Sequence, residues 1–163
     1  METYKLILLF TYLAILLFNY YLDYLNIRHV KNNIDLIPPE FKGHIDEELL
    51  KKSQNYLIDN TKFDFVASVF NNVLFLAFIF GGILDWYNSW IRSLNLSFIV
   101  SGIVFFLLLT YAETFFTLPF SLYHTFRIEK KYGFNTMTFR LWVSDLVKSL
   151  VISTVLMLIV LAA

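Results

Sequence analysis

The sequence predicts an all-α, polytopic membrane protein with about four transmembrane helices joined by amphipathic cytoplasmic segments. Three observations carry that reading. Of the 163 residues, 58% are hydrophobic and 19% aromatic, against about 45–50% apolar in an ordinary soluble domain, and the mean hydropathy is +0.61. Four apolar stretches approach the roughly 20 residues that a helix needs to cross about 30 Å of hydrocarbon. The thirteen basic residues are distributed very unevenly between the connections. Thirteen acidic residues balance them to a formal charge of zero, so no basic excess points to nucleic acid as a partner. The absence of cysteine excludes disulfides and thiolate metal sites.

The first span is expected within residues 1–25, from Tyr4 to Leu25, with Asn19 and Asp23 near its end. It is too long for a signal-peptide core and lacks a small-residue cleavage site, so it reads as a retained helix. A cytoplasmic segment, 26–64, follows. Pro38 and Pro39 suit a helix start, and Phe41, Ile45 and Leu49 recur at i, i+4 and i+8, with Tyr56 beyond, as in an amphipathic helix. Asp46, Glu47, Glu48, Lys51 and Lys52 form its charged side. That helix either lies on the membrane or packs as an ordinary solvated helix.

The second span is expected at 65–84, with Asn71 and Asn72 as interhelical hydrogen-bonding groups and Gly81 and Gly82 permitting close helix packing. A short connection leads to the third span at 96–118, which Pro119 is expected to kink or end. In the second cytoplasmic segment, 119–145, Gly133 suits a helix C-cap and Asn135 or Thr136 the next N-cap. Met137, Leu141 and Trp142 form an amphipathic lead-in to the fourth span, 146–163. No polar or aromatic residue anchors Val155 to Ala163 at an interface, which reads as truncation.

Eleven of the thirteen basic residues fall in the first and third connections: Arg28, Lys31, Lys42, Lys51, Lys52 and Lys62, then Arg127, Lys130, Lys131, Arg140 and Lys148. Lys5 and Arg92 are the other two. Positive charge favours the cytoplasmic side, which places both long connections there and both chain ends outside.

Catalytic motifs are missing. His29, His44 and His124 are too scattered for His-Glu-x-x-His. His44 and Glu47 are three residues apart, a spacing better explained by a solvated helix face. Glu129 follows His124 by five, which an α-helix does not place on one face. Ser121, Tyr123 and His124 lie within one turn but lack a nucleophile elbow or oxyanion device. No catalytic or metal-ligating residue is assigned. Glu113 is the unusual group, because an ionisable side chain inside a span marks a cavity, a partner or a proton path. Lying about 9 Å before Pro119, it is equally placed to snorkel to the interface. Asn95-Leu-Ser97 matches a glycosylation acceptor but lies close to the membrane.

The stretch Leu118-Pro119-Phe120-Ser121-Leu122-Tyr123-His124-Thr125-Phe126-Arg127-Ile128-Glu129-Lys130-Lys131-Tyr132-Gly133-Phe134-Asn135 resembles the Leu-Pro-[Phe/Trp]-Ser-x-Tyr-x-Thr-Phe-x-Ile-Glu-x-x-x-Gly-Phe-Asn signature of Ste24-type CAAX prenyl proteases, peptidase family M48. Ile37-Pro38-Pro39-Glu40-Phe41, with Lys52-Ser53, Tyr56, Asp59 and Phe63, resembles the first cytoplasmic segment of that family, and Gly81-Gly82-Ile83 falls where its second helix ends. The resemblance implies a helical barrel around an intramembrane chamber, with zinc held by His-Glu-x-x-His and a later Glu. It also implies a metal-activated water that cleaves hydrophobic or prenylated peptides.

No zinc ligand or general base can be carried onto this sequence, so no bound cofactor is expected on the chain itself. It is expected to contribute chamber wall and cytoplasmic lid, with the remainder of the protease, peptide substrate and membrane lipids as partners. Tyr123, Arg127, Glu129, Asn135 and Glu113 are the candidate supporting or substrate-positioning residues. A bacterial inner membrane is the expected location in preference to a eukaryotic endoplasmic reticulum. Two alternatives are a non-catalytic peptide-binding scaffold of the same descent and a small transporter built on Glu113.

The charge asymmetry is testable in a chain with no cysteine of its own. In intact vesicles, Lys51→Cys and Lys130→Cys are expected to react with an impermeant thiol reagent from the same side, and Arg92→Cys from the other. Labelling of positions 51 and 92 from one side would overturn the predicted topology.

Overall fold

The computed structural model describes residues 3–33 and 46–162. The expectations placed on Pro38, Pro39, Phe41, His44 and Ile45 lie outside them. Among the described residues all regular structure is helical: α1 (Thr3–Asn32), α2 (Glu47–Phe80), α3 (Ile83–Ser93), α4 (Phe98–Tyr123), a π-helical turn (His124–Glu129) and α5 (Phe139–Ala162). Helix is the spanning solution that satisfies every backbone N–H and C=O within one segment. Four helical stretches are long and apolar enough to cross a membrane. Their apolar residues point outward on all sides, and only Ile58, Tyr87, Ile91, Ile128 and Tyr132 are buried hydrophobics among the described residues.

The helices outrun the apolar stretches. Neither Gly nor Pro occurs between Glu47 and Phe80, so the end of the expected amphipathic helix and the second span form one 34-residue helix. Asp46 starts it: its carboxylate accepts the Glu48 N–H at 2.9 Å and its backbone carbonyl accepts the Leu50 N–H at 3.0 Å, the pattern of an N-cap. Pro119 does not end the third span, contrary to expectation. α4 continues through it to Tyr123 and then into the π-turn. Prolines are tolerated in spanning helices where neighbouring groups satisfy the backbone. In the preceding turn the Thr117 hydroxyl lies 2.9 Å from the Glu113 carbonyl and 3.1 Å from that of Thr114.

Gly81 and Gly82, expected to permit close helix packing, lie instead at the break between α2 and α3. Gly82 adopts φ +81°, a left-handed conformation that suits Gly. At Gly81, a Cβ would lie 2.4 Å from the Ala77 carbonyl oxygen, the same oxygen that accepts the Gly81 N–H at 2.9 Å.

The connection after these glycines is itself a helix, α3, which the sequence reading treated as a plain link. Ile83, Trp86, Tyr87, Trp90 and Ile91 recur at i, i+3, i+4, i+7 and i+8, one face of a helix. Tyr87 and Ile91 are buried. The Tyr87 ring lies 4.7 Å from that of Phe105 on α4, and its hydroxyl donates to the Phe105 carbonyl at 2.7 Å. Burial holds the Tyr87 phenol above its ordinary pKa.

The chain divides into two compact units, Met1–Val66 and Ala67–Ala163. In the first, Tyr20 of α1 meets Phe65 of α2 edge to face at 4.8 Å. In the second, Phe70 packs against Phe120 at 4.9 Å, and Tyr111 of α4 shares a 2.7 Å hydrogen bond with Thr154 of α5. Asn72 donates to Ser68 within α2 at 3.0 Å, and Asn71 is exposed.

The glycine break yields a stability test. Gly82→Ala places a Cβ in the left-handed region, at a cost of about 1–2 kcal/mol. Gly81→Ala adds a steric clash with backbone and is expected to cost at least as much. Thermal unfolding in detergent should show both losses, with Gly82→Asn milder than Gly82→Ala. Unchanged midpoints for both alanine variants would show that the break does not need glycine.

Candidate functional site

The candidate residues Tyr123, Arg127, Glu129 and Asn135 converge on the π-turn that closes α4. In an α-helix, residues five apart point about 140° away from each other, and on that ground His124 and Glu129 were expected to diverge. The π-turn corrects this. Its i to i+5 pairing, a geometry often found at functional sites, brings the His124 Nδ1 to 3.7 Å from the Glu129 Oε1. Both side chains remain partly exposed.

Two devices lock the turn. Asn135, ten residues on, donates from Nδ2 to the Thr125 carbonyl at 2.9 Å, while its Oδ1 accepts the Met137 N–H at 2.6 Å. Gly133 takes φ +72°, and the Phe134 N–H donates to the Glu129 carbonyl at 2.9 Å while the Gly133 N–H donates to that of Lys130 at 3.2 Å. This pair of bonds is a Schellman motif with Gly at its left-handed position, so the expected cap at Gly133 is present.

The next N-cap is neither Asn135 nor Thr136 but Thr138, whose hydroxyl accepts the Leu141 N–H at 3.2 Å. Its carbonyl accepts the Trp142 N–H at 2.9 Å. Asn135 is committed to Thr125 and Met137 instead. Beneath the turn Ile128 and Tyr132 are buried, and Phe126 packs against Phe139 and Trp142 of α5 at 6.1 and 6.4 Å. Tyr123 and Arg127 are exposed.

Glu113 stands apart from this cluster. With Pro119 inside the helix, the helical run extends from Phe98 to Glu129, and Glu113 falls at its middle. The helix therefore continues past the proline from which the snorkelling alternative measured its distance to the interface. Thr110, Glu113, Thr114, Thr117 and Ser121 fall within about 100° of one another around α4, a polar strip along its second half. Glu113 is exposed. Thr114 and Thr117 turn their hydroxyls onto carbonyls of their own helix.

Among the described residues no group of three or more His, Asp or Glu side chains could hold a metal ion. The pair His124 and Glu129 supplies two such groups, one fewer than an open catalytic zinc site takes.

Residues 26–163 match the family described as the CAAX prenyl protease N-terminal region, with five membrane helices. The chain is 34% identical over 147 residues to a CAAX prenyl protease 1 homologue of Caenorhabditis elegans, covering 89% of this chain and 32% of that protein. It is 32% identical over 128 residues to CAAX prenyl protease 1 of Saccharomyces cerevisiae, covering 72% and 28%. With a crystal structure of S. mikatae Ste24p it superposes at a TM-score of 0.85 and 29% identity, over 96% of this chain and 37% of the other. The chain thus spans about a third of the length of these relatives. The relatives named here are eukaryotic, and the expectation of a bacterial membrane draws no support from them.

The Asn135 bond is the most exposed to test. Asn135→Ala leaves the Thr125 carbonyl without this donor, a loss of about 1–3 kcal/mol where the group is buried. Asn135→Asp keeps the acceptor for Met137 but sets a carboxylate against a carbonyl. Hydrogen exchange should show faster exchange at residues 125–130 in both variants. Unchanged protection would mean that Asn135 does not hold the turn.

Proposed function

The chain belongs to the CAAX prenyl protease family, whose N-terminal membrane domain it matches, and from that membership we propose that it forms part of the wall of a hydrated chamber within the membrane. In this reading it presents the π-turn at the cytoplasmic mouth, where substrate peptide passes. The observation that carries the reading is Glu113, exposed at the middle of a 32-residue helical run and flanked along one face by Thr110, Thr114, Thr117 and Ser121. An ionised carboxylate in contact with hydrocarbon is costly, so such residues face water or a partner. A hydrated interior removes the cost for the whole strip at once.

The zinc of a complete family enzyme would supply a metal-activated water that cleaves the peptide bond. The described side chains form no group of three metal ligands, and in this reading other parts of the protein supply that chemistry. The role of this domain is positioning. Asn135 and the Schellman turn fix the end of α4, His124 orients the Glu129 carboxylate, and Tyr123 and Arg127 stand exposed beside it to contact a hydrophobic or prenylated peptide. The basic residues around the turn, Arg127, Lys130, Lys131 and Arg140, support its placement on the cytoplasmic side.

Two measurements on the complete protein test these roles separately. Glu113→Cys and Thr117→Cys are expected to react with a small charged thiol reagent, and Phe115→Cys, on the apolar side of α4, is not. Protection of position 113 together with reaction at 115 would refute the hydrated strip. Glu129→Gln is expected to lower peptide cleavage about tenfold, equivalent to about 1.4 kcal/mol, with membrane insertion intact. Undiminished cleavage would remove Glu129 from the positioning role. Peptide binding with no cleavage by the wild-type protein would favour the scaffold reading instead.

A further inference from the structure

A groove of about 830 Å³ lies at the opposite end of α4 from the π-turn, between α3, the start of α4 and the end of α5. Its size falls within the range of small-molecule sites, about 300–1,000 Å³. Arg92 and Asn88 of α3 stand at one side, and Phe98, Gly102 and Phe106 of α4 with Leu161 of α5 form the apolar floor. No acidic residue among those described lines it, and Arg92 has no carboxylate partner among the described residues.

α3 sets the depth of this groove. Tyr87 and Ile91 use half of its apolar face against α4, while Trp86 and Trp90 on the other half are 66% and 41% exposed. Paired, exposed Trp residues on an amphipathic helix beside a spanning helix belong at the membrane interface. Arg92, half a turn beyond Trp90, is thereby held at the level of lipid phosphates. From Phe98 to Phe106 the floor descends eight residues of helix, about 12 Å, close to the roughly 15 Å thickness of one hydrocarbon leaflet.

We propose that this groove is a phospholipid site, in which Arg92 and Asn88 take the phosphodiester and one acyl chain lies along α4 over Gly102 toward Leu161. A cation at phosphate depth above an apolar channel of leaflet length complements a glycerophospholipid. A free phosphate would leave the channel unused, and a protein helix would leave Arg92 without an anion. Gly102 gives the site its passage: a Cβ there meets no atom within 4 Å, so the groove is open at the point where the acyl chain crosses α4.

Native mass spectrometry of the complete protein, released from detergent after titration with dioleoylphosphatidylglycerol, tests the site. The wild type is expected to retain one lipid tightly. Arg92→Ala should bind it about tenfold more weakly, Arg92→Lys should fall between, and Gly102→Leu, whose side chain would enter the groove from a position where a Cβ meets nothing within 4 Å, should lose it. Circular dichroism and elution volume verify the fold of each variant, and either of the Arg92→Ala and Gly102→Leu results stands alone if the other fails to fold.

Equal retention by all four proteins would mean unspecific boundary lipid and would overturn the proposal. So would displacement by millimolar inorganic phosphate, which marks a free-anion site. Absence of bound lipid from the wild type would overturn it too, as would a cross-link from Phe106→Cys to a later helix of the same protein, which would show that protein fills the groove.

Discussion

The structure depends on one constraint, that a backbone in hydrocarbon must satisfy its own hydrogen bonds. It explains why every described element is helical and why the helices outrun their apolar stretches, α1 and α4 beyond the end and α2 and α5 before the start. Extending a helix keeps each N–H paired, whereas stopping it leaves groups that need other partners. At several helix ends a side chain or a glycine supplies what the missing turn does not. Asp46 caps α2, Thr138 caps α5, and a left-handed Gly133 closes the turn after α4. Asn135 gives the Thr125 carbonyl a donor from outside the helix.

The fold class and the approximate positions of the four apolar helices were legible because they rest on composition and run length, which a bilayer reads directly. The family was legible in the segment from Leu118 to Asn135, where hydrogen-bonding and turn residues stand at fixed spacings. α3 was legible in principle, since its five apolar residues follow helical spacing, but the pattern is short and sits between polar residues. Gly81 and Gly82 were assigned to packing because their place at a helix end depends on where α2 stops, and propensity alone does not fix that.

The two misread features between Pro119 and Glu129 have different causes. Proline ends helices in water, where the chain has other partners, and that rule placed a boundary at Leu118. In a spanning segment the alternatives to helix are poorer, and the helix continues. The approach of His124 to Glu129 was hidden because the argument from spacing presumed 3.6 residues per turn. A local widening to the π geometry is a property of the whole segment and its locks, and no single residue announces it. Each correction sharpened the functional reading: one moved Glu113 to mid-helix, and the other joined two candidate side chains.

The π-turn also acts as an azimuthal spacer. A widened turn accommodates an additional residue in an α-helix, so every atom after it is rotated about the helix axis relative to an uninterrupted helix, by about 100° for each residue absorbed. The Schellman turn and α5 inherit that rotation. The hydrogen bond between Tyr111 and Thr154 and the packing of Phe126 on Phe139 and Trp142 therefore depend on the count of residues between His124 and Glu129 as much as on their identities. A single-residue deletion there would swing α5 around α4 and separate these partners, while a substitution that preserved the count would leave the registration of the two helices intact.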